Sequence, residues 1–410
     1  MIRIIFFVFL LTYLYSESIS KEMLVCKECI HKSIKDAISL SNPYDTIIVQ
    51  EGIYDEFEIN INYPIYLFGN KATIDANLNG GIFNIYSDNV SISGFTLINI
   101  KESFKKDIAA IYVFNVNNFS LENLTIRNPF FAFLIQKSSR GYIRNNIIIG
   151  NAENQYNSAN GIHIWHSNNI EVINNKISNM RDGIYFEFVK NSTIRSNNST
   201  NNLRYGLHFM FSDNNEYDGN TFERNGAGVA VMFSKKIIMK NNYFLNNWGS
   251  SSYGLLLKEI YDSEIRNNLF DNNTIGINIE GSTRINYYKN TFLSNGWAVK
   301  VLGGCYNNLF MNNNFISNSF DLSYNGSEND NLFKNNYWSK YSGYDLDTDG
   351  IGDVPFHPVK LFSFVVDRSP ESIILLRSLF VEMINFSENV SPIFTPTYLV
   401  DKEPLIKIIK

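Results

Sequence analysis

A short phrase, glycine followed by alternating residues, recurs seven times between Gly161 and Val301 and constrains the fold more than any other feature. Successive copies begin 22, 23, 22, 26, 22 and 20 residues apart, so the chain carries an internal repeat of about one structural unit per 22 residues. The copies read GIHIWHS, GIYFEFV, GLHFMFS, GVAVMFS, GLLLKEI, GINIEGS and GWAVKVL. One such unit cannot bury its apolar face alone, so the units must stack into a solenoid.

A second phrase, an asparagine two positions before a larger residue, runs in step with the first. Its copies are Asn146/Ile148, Asn175/Ile177, Asn198/Thr200, Asn220/Phe222, Asn242/Phe244, Asn268/Phe270, Asn290/Phe292, Asn313/Phe315 and Asn336/Trp338. Alternation over five residues predicts strands, and asparagines repeated at one corner can hydrogen-bond along a column. We therefore expect an all-β fold, a right-handed parallel β-helix of the pectate-lyase kind, with an N-terminal cap and a C-terminal helical arm.

Alternation within the glycine phrase also assigns the faces of the predicted strands. The first and third residues after each glycine are mostly apolar and are predicted to point inward. The second and fourth then point outward. They form two columns: His163, Tyr185, His208, Ala230, Leu256 and Asn278, and Trp165, Glu187, Met210, Met232, Lys258 and Glu280. Since neighbouring strands lie ~4.8 Å apart, we expect His208, Met210 and Met232 to share one exposed patch.

The charge composition of the chain bears on whether its partner could be a nucleic acid. The net charge is -5, and only 18% of the residues are charged, which argues against nucleic-acid binding. Three cysteines are too few for a disulfide scaffold.

The order of segments predicts the organisation of the chain. Residues 1–20 combine Arg3, an apolar run shorter than the ~20 residues of a membrane span, and small polar residues, as in a signal peptide. We therefore expect an exported, periplasmic protein. The remaining predicted segments are an N-terminal cap at 21–70, the β-helix at 71–340, an Asp-rich capping loop at 341–368, and a helix with a docking arm at 369–410.

The soft side chains of the outward columns predict a copper site. Thioether and imidazole groups suit Cu(I), so His208, Met210 and Met232 are the candidate ligands, and Glu187 and His163 are weaker ones. The alternative for this patch is that the methionines pack on a partner protein.

Cys26 and Cys29, followed by His31, offer an alternative metal site or a small disulfide loop.

A further candidate metal site lies near residue 350. Asp345, Asp347, Asp349 and Asp353 surround two glycines, a pattern that suits calcium. The alternative is an Asx loop that caps the last coil.

Beyond this loop, Ser369 and Pro370 open a predicted helix. Its apolar residues form one broad face, either a cap on the last coil or a surface for a membrane partner: Ile373, Ile374, Leu376, Leu379, Phe380 and Met383.

An enzymatic interpretation uses the same outward face. In a polysaccharide lyase or epimerase, His163, Tyr185, His208 and Glu187 would act as acid and base. The continuation of the patch into Met210, Met232, Phe211 and Phe233, instead of a row of cations and carboxylates, counts against an acidic sugar as the ligand.

Several phrases, in order, resemble those of the NosD family of periplasmic nitrous oxide reductase maturation proteins. They are RDGIYFEF, LRYGLHFMFS, NGAGVAVMFS, WGSSSYGLLLKEI and NGWAVKV, followed by NYWSKYSGYDLDTDGIGDVPFHPVKLFS and LRSLFVEM. The resemblance runs from about residue 31 to LVDKEPL near the end. The glycine and asparagine repeat is shared by many β-helix proteins, whereas the order of these phrases is far more specific.

The resemblance implies an accessory protein that is not an enzyme. It implies work with an ABC transporter, an ATPase and a membrane permease, in assembling the copper-sulfur cluster of nitrous oxide reductase, with Cu(I) arriving from a copper chaperone. The segment from about Ser369 to Leu405 would be the arm that the permease holds, so the protein would be membrane-associated through its partner. A metal-free adaptor remains a second hypothesis, and the polysaccharide enzyme a third.

Overall fold

The structure is a computed structural model that describes residues 20–103, 105–156, 158–325, 330–390 and 399–410. The chain forms an all-β parallel solenoid of about 14 turns, which confirms the predicted fold class. Each complete coil contributes one strand to each of three columns, and every strand pairs in parallel with those of the neighbouring coils.

The first column carries the glycine phrases and the outward residues of interest. Its strands are β4 (Ile59–Ile61), β7 (Phe83–Ile85), β10 (Ala109–Phe114), β13 (Phe131–Gln136), β16 (Asn160–Trp165), β19 (Asp182–Glu187), β22 (Tyr205–Met210), β25 (Ala227–Lys235), the first part of β28 (Leu255–Arg266), β30 (Ile275–Glu280), β33 (Trp297–Val301) and β36 (Phe320–Tyr324).

The second column follows the first across a tight turn. Its strands are β1 (Glu22–Val25), β2 (Thr46–Val49), β5 (Tyr66–Gly69), β8 (Val90–Ser93), β11 (Asn117–Glu122), β14 (Ser139–Arg144), β17 (Asn168–Ile173), β20 (Thr193–Arg195), β23 (Glu216–Asp218), β26 (Ile238–Lys240), the second part of β28, β31 (Thr283–Tyr288), β34 (Leu309–Met311) and β37 (Leu332–Lys334).

The third column completes each coil. Its strands are β3 (Gly52–Asp55), β6 (Ala72–Asp75), β9 (Thr96–Ile98), β12 (Thr125–Arg127), β15 (Ile147–Ile149), β18 (Lys176–Ser178), β21 (Asn198–Thr200), β24 (Thr221–Glu223), β27 (Tyr243–Leu245), β29 (Leu269–Asp271), β32 (Thr291–Leu293), β35 (Asn314–Ile316) and β38 (Tyr337–Trp338).

The repeated glycine is required by the close approach of successive coils. A Cβ placed on Gly183 would lie 2.7 Å from the carbonyl oxygen of Gly206 and 2.0 Å from Ser199 Oγ. The inward residues around it, such as Ile184 and Phe186, are fully buried. A larger residue at the glycine would therefore push two coils apart.

A buried asparagine ladder runs along the corner between the second and third columns. Asn242 is typical: its Nδ2 donates to Asn268 Oδ1 and to the carbonyl of Tyr217, both at 3.0 Å. The register of one predicted rung was wrong, because the rung is Asn197, and Asn198 is exposed. A second ladder, at the end of the third column, was not predicted: Asn202, Asn225, Asn247, Asn273, Asn295 and Asn318.

The β-helix begins earlier than the sequence predicts. β1 pairs with β2 from Glu22↔Thr46 onward, and β3 pairs with β6, so the region 21–70 already contains coils. Its capping element is α1 (Ile34–Leu40), whose N-cap Ser33 accepts the N–H of Asp36. The earliest coils lack the glycine and asparagine phrases, which is why the repeat did not reveal them. The predicted signal peptide, residues 1–20, lies outside the described residues except for Ser20.

The C-terminal end of the solenoid is closed by the chain's own tail. The buried carboxylate of Asp401 accepts bonds from Asn336 N, Asn336 Nδ2 and Trp338 Nε1, each at 3.0 Å. Ile409 N donates to Asn314 Oδ1 at 2.9 Å. The residues 399–410, expected in a docking arm, therefore lie against the last coils instead.

Two helices precede this tail. α2 (Leu361–Arg368) falls in the region expected to be a capping loop, and α3 (Leu379–Val390) follows a 3₁₀ helix (Pro370–Leu375). They pack on the outside of the last strands of the first column, in a cluster made of Trp297, Phe320, Phe362, Val366 and Val381. None of the helices in the described part of the chain is long and apolar enough to span a membrane.

Candidate functional site

The outward side chains of the first column lie in the register that the alternation predicts. His163 pairs with Tyr185 and Tyr185 with His208. Two positions further along the same strands, Glu187 pairs with Met210 and Met210 with Met232. The long loops before β10, β16 and β28 all leave the third column and enter the first, so they border this face.

His208 differs from the expectation of an exposed ligand, because it is only 6% exposed. Its imidazole lies between the rings of Tyr185 and Tyr205, with centroids 4.9 and 4.8 Å away. Both ring nitrogens are buried without a hydrogen-bond partner. Burial, with the nearby cations Arg204 and Arg181, lowers the pKa of His208 to about 4, so the ring is neutral at pH 7.

An ion cluster that sequence reasoning missed lies close enough to His208 to affect its pKa. Asp182 is fully buried, and its carboxylate lies 3.2 Å from Arg204 Nε and 3.8 Å from Arg181 Nε. Burial raises the pKa of Asp182 in spite of both arginines. The guanidinium of Arg204 lies over the Tyr205 ring, 4.8 Å from its centroid. The only signal was a charged residue directly before Gly183, where the other six repeats carry Asn, Tyr, Ala or Ile.

Met210, the last residue of β22, and Met232, within β25, are half-buried register neighbours. Their strands are ~4.8 Å apart, so the two thioethers are close enough to act on one ligand. In the next two coils the same position holds Lys258 and Glu280, which form an ion pair at 3.2 Å. The run of thioether side chains therefore ends at Met232.

His163 is packed by aromatic rings rather than by candidate metal ligands. Its ring lies 5.5 Å from that of Phe131 and 4.7 Å from that of Tyr185. Burial and Arg181 lower its pKa to about 4. Burial and the Glu187 carboxylate raise the pKa of Tyr185 to about 12. This Tyr and the two histidines therefore remain neutral across the physiological range.

His166, in contrast, lies on the turn that follows β16 and stacks on Phe188.

Cys26 and Cys29 are joined in a disulfide at the first coil. His31 contributes its backbone carbonyl to Cys26 N at 3.1 Å, closing the loop. Of the two predictions for this motif, the structure has the disulfide, and thiolate ligation requires its reduction.

The Asp-rich loop brings together three of the four predicted carboxylates. Oxygens of Asp345, Asp347 and Asp349 lie within 4.8 Å of one another. Asp353 instead accepts the N–H of Leu346 at 2.7 Å. The three carboxylates also accept backbone N–H groups of the loop, for example Gly350 N on Asp345 at 2.9 Å. The geometry suits both the calcium site and the Asx loop, so calcium binding stays a prediction.

The predicted partner-binding residues divide into two groups. Leu376 packs against the cluster beneath the helices. The others are at least half exposed and form an unpartnered apolar surface: Ile373, Ile374, Leu379, Phe380 and Met383, with Phe386 beside them.

Two family descriptions match parts of the chain. "Periplasmic copper-binding protein (NosD)" matches residues 152–343, which include the whole outward patch, and "Glycosyl hydrolases family 28" matches residues 93–201. A curated relative, "Probable ABC transporter binding protein NosD" of Pseudomonas aeruginosa, is 31% identical over 72 residues. That match covers 18% of this chain and 17% of the relative's length.

Solved structures show the same architecture. The A-module of the Azotobacter vinelandii mannuronan C-5 epimerase AlgE6 has a TM-score of 0.57 at 14% identity, covering 72% of this chain and 93% of that one. A Yersinia enterocolitica family 28 exopolygalacturonase has a TM-score of 0.58 at 11% identity, covering 77% of this chain and 78% of that one. At these identities the likeness shows the fold alone. The chain is therefore a parallel β-helix protein that is similar to NosD over residues 152–343.

Proposed function

We propose that the protein is a periplasmic accessory subunit that binds Cu(I) transiently and passes it on during maturation of nitrous oxide reductase. The observation that carries the proposal is the register pair Met210 and Met232 on the outward face. His208 lies two positions before Met210 on the same face; its ring nitrogens lack a hydrogen-bond partner but are buried, so they become a third ligand only when the ring turns outward. The description of the matched family as copper-binding supports the same ligand.

The ligand chemistry supports Cu(I) over harder ions. Two thioethers and a neutral imidazole are soft donors, whereas the nearest carboxylate, Glu187, lies at the edge of the group. Because His208 loses its proton near pH 4, protons compete little with copper for it at pH 6 to 7. Copper is cargo in this proposal, so a site that is partly accessible and incompletely enclosed suits release.

We further propose that the exposed residues of the 370–386 region, above all Leu379, Phe380 and Met383, contact a membrane permease. Their exposure, at 60 to 72%, is unusual for large apolar side chains. The curated relative's description as an ABC transporter binding protein supports such a partner. A copper chaperone would supply the ion, and the reductase would receive it.

The test is an anaerobic Cu(I) titration of the mature protein against a chromophoric chelator. Wild type is expected to bind about one ion through its soft ligands, and Met210→Leu/Met232→Leu to lose it, because leucine keeps the packing but removes both sulfurs. No binding by wild type would leave the protein as a metal-free adaptor. Binding that persists in the double variant would move the site away from the patch, with reduced Cys26 and Cys29 as the next ligands to test.

A polysaccharide lyase or epimerase is the second candidate. The observation that favours it is the outward row of His163, Tyr185 and His208, within or beside the region that matches family 28 glycosyl hydrolases. Two facts weaken it: His208 has no exposed ring nitrogen, and Tyr185 has a pKa of about 12. Incubation with polygalacturonate and with alginate, followed by analysis for cleavage or epimerisation, separates this candidate from the first.

A further inference from the structure

Four aromatic rings form a stacked column on the turn between the first and second strand columns. His166, Phe188, Phe211 and Phe233 occupy this turn in four consecutive coils. Their centroids are 4.4, 5.1 and 5.1 Å apart, and their planes are tilted by 17°, 10° and 12°. We call this set the ring column. Phe188 and Phe211 are 37% and 39% exposed, so the column lies at the surface.

The positive φ of the backbone at this turn favours small residues such as glycine and asparagine over aromatic ones. All four have positive φ, from 46° to 54°, which bulky side chains adopt only at a cost. In the same turn of other coils stand Asn115, Lys137, Glu259 and Gly281. The rings contribute nothing to the solenoid core, which is built from other residues. The four aromatic residues are therefore better explained by a role at the surface than by folding.

The ring column adjoins the candidate copper ligands. Met210 and Met232 directly precede Phe211 and Phe233, and serines that follow the rings hold the turn in place. Ser212 Oγ donates to the carbonyl of Met210 at 2.7 Å, and Ser234 Oγ to that of Met232 at 2.9 Å. A molecule that covers the rings therefore comes within reach of both thioethers.

The stacking of the rings determines which kind of ligand the ring column can bind. Each inner ring face is covered by the next ring, so the surface offers ring edges. Ring edges carry partial positive charge and are where thioether sulfurs often contact aromatic side chains. A sugar chain would need open ring faces to stack on. The surface thus favours a ridge of methionine and aliphatic side chains on a protein.

The two ends of the ring column carry opposite charges. At its N-terminal end Lys137 Nζ lies 5.8 Å from the centroid of the Trp165 ring, next to His166. At its C-terminal end stands the exposed Glu259, one coil beyond Phe233. The two ends are five register positions apart, roughly 24 Å at ~4.8 Å each. A complementary partner has a carboxylate at one end of its apolar ridge and a cation at the other.

We propose that the ring column is the docking surface for the protein that delivers Cu(I) to Met210 and Met232. The partner presents a methionine- or leucine-bearing ridge, with an acidic group near Lys137 and a basic group near Glu259. This inference rests on the proposed function for its metal, but the docking surface and the metal ligands are different side chains. Their roles can therefore be separated by mutation.

The test measures copper transfer from the Cu(I)-loaded soluble domain of a periplasmic copper chaperone of the same organism. The variant is Phe188→Asn/Phe211→Asn, because Asn115 shows that asparagine fits this turn, with φ 55°. Its transfer rate is expected to fall about tenfold or more, the effect of removing two interface aromatic residues. Its affinity for Cu(I) supplied with a small chelator is expected to equal that of wild type.

One control variant and two charge-reversal variants accompany this test. Tyr243→Ser removes an aromatic ring of similar exposure, 47%, from the third strand column, and should leave transfer unchanged. Lys137→Glu and Glu259→Lys should each slow transfer, more at low salt than at high salt.

The outcomes distinguish the two proposals. Unchanged transfer in the Phe188→Asn/Phe211→Asn variant overturns the docking surface and leaves the copper site standing. Failure of wild type to bind chelator-supplied Cu(I) overturns the copper site. In that case calorimetry with the metal-free chaperone domain decides the docking surface, which fails if wild type and the double variant give the same binding.

Discussion

At the scale of single residues, His208 shows how a pattern places a side chain without revealing its surroundings. The alternation correctly put it on the outward face, in register with Tyr185. The repeat did not indicate that the rings of Tyr185 and Tyr205 would pack against it, or that Arg204 and Arg181 would lie near enough to lower its pKa. Burial depends on which side chains of the same and the neighbouring coils pack around the ring, and tertiary packing decides that.

This burial predicts a pH dependence of stability. The pKa of His208 falls from 6.5 to about 4 on folding, so between these values the unfolded chain binds a proton that the folded chain does not. The stabilisation is present above pH 6.5 and is lost as the pH falls toward 4. At pH 4.5 the loss should be about 2 kcal/mol.

The measurement is denaturant unfolding of wild type and His208→Phe at pH 7 and pH 4.5. Phenylalanine keeps a ring between the two tyrosines but cannot be protonated, so the variant should lose less stability on acidification. His163 has a similarly low pKa and is present in both proteins, so the difference between them isolates His208. An equal loss in both would show that His208 accepts protons freely in the folded state.

At the scale of elements, the asparagine ladder was predictable in kind because its chemistry is local and repeated. Its register at Asn197 was not, since two adjacent asparagines both fit the phrase and only the packed coil distinguishes them. The second ladder, from Asn202 onward, follows the third strand column and has no apolar residue at a fixed spacing to mark it.

Adjacent asparagines provide a matched test of the ladder. Asn242→Ala removes four buried hydrogen bonds: those that the Asn242 side chain accepts from Asn220 N and Nδ2, and those that it donates to Asn268 Oδ1 and the Tyr217 carbonyl. We expect a loss of about 3 kcal/mol or more in the free energy of unfolding. Asn241→Gly, at an exposed turn with φ 56°, should cost about 1 kcal/mol or less. Similar losses in the two variants, measured by denaturant unfolding, would contradict a structural role for the ladder.

The C-terminal helices show where the apolar pattern misleads. The sequence predicts one helix from Ser369, whereas the structure has a 3₁₀ helix that ends at Leu375 and then α3 from Leu379. The break allows Leu376 and Val381 to pack on Trp297 and Phe320 while their neighbours face solvent. Apolar periodicity does not distinguish the apolar side chains that the chain's own coils cover from those that stay exposed to solvent.

At the scale of the whole molecule, both ends of the solenoid are closed by non-repeating segments. Asp401 ends the asparagine ladder with a carboxylate in place of another asparagine. Asp401→Ala should therefore remove three buried hydrogen bonds, leave Asn336 N and Trp338 Nε1 without an acceptor, and cost about 3 kcal/mol. In a solenoid this loss is local, so hydrogen exchange should rise first in β35 and β38.

Glu403→Ala is the control for this cap. Its carboxylate forms an exposed ion pair with Lys334 at 3.0 Å, whose loss should cost less than about 1 kcal/mol. If Asp401→Ala left exchange in the last coils unchanged, the tail would not be the cap of the solenoid.

The sequence by itself determined the solenoid, the inward and outward faces and the pairing of Met210 with Met232, because these follow from a period that recurs in every coil. Tertiary structure alone decided that coils begin at Glu22, that His208 is buried, that residues 399–410 close the last coil, and that four rings stack beside the methionines. Each of these depends on segments far apart in sequence or on packing outside the repeat. A repeat specifies how a coil meets the next coil, but not what covers its outer face or its ends.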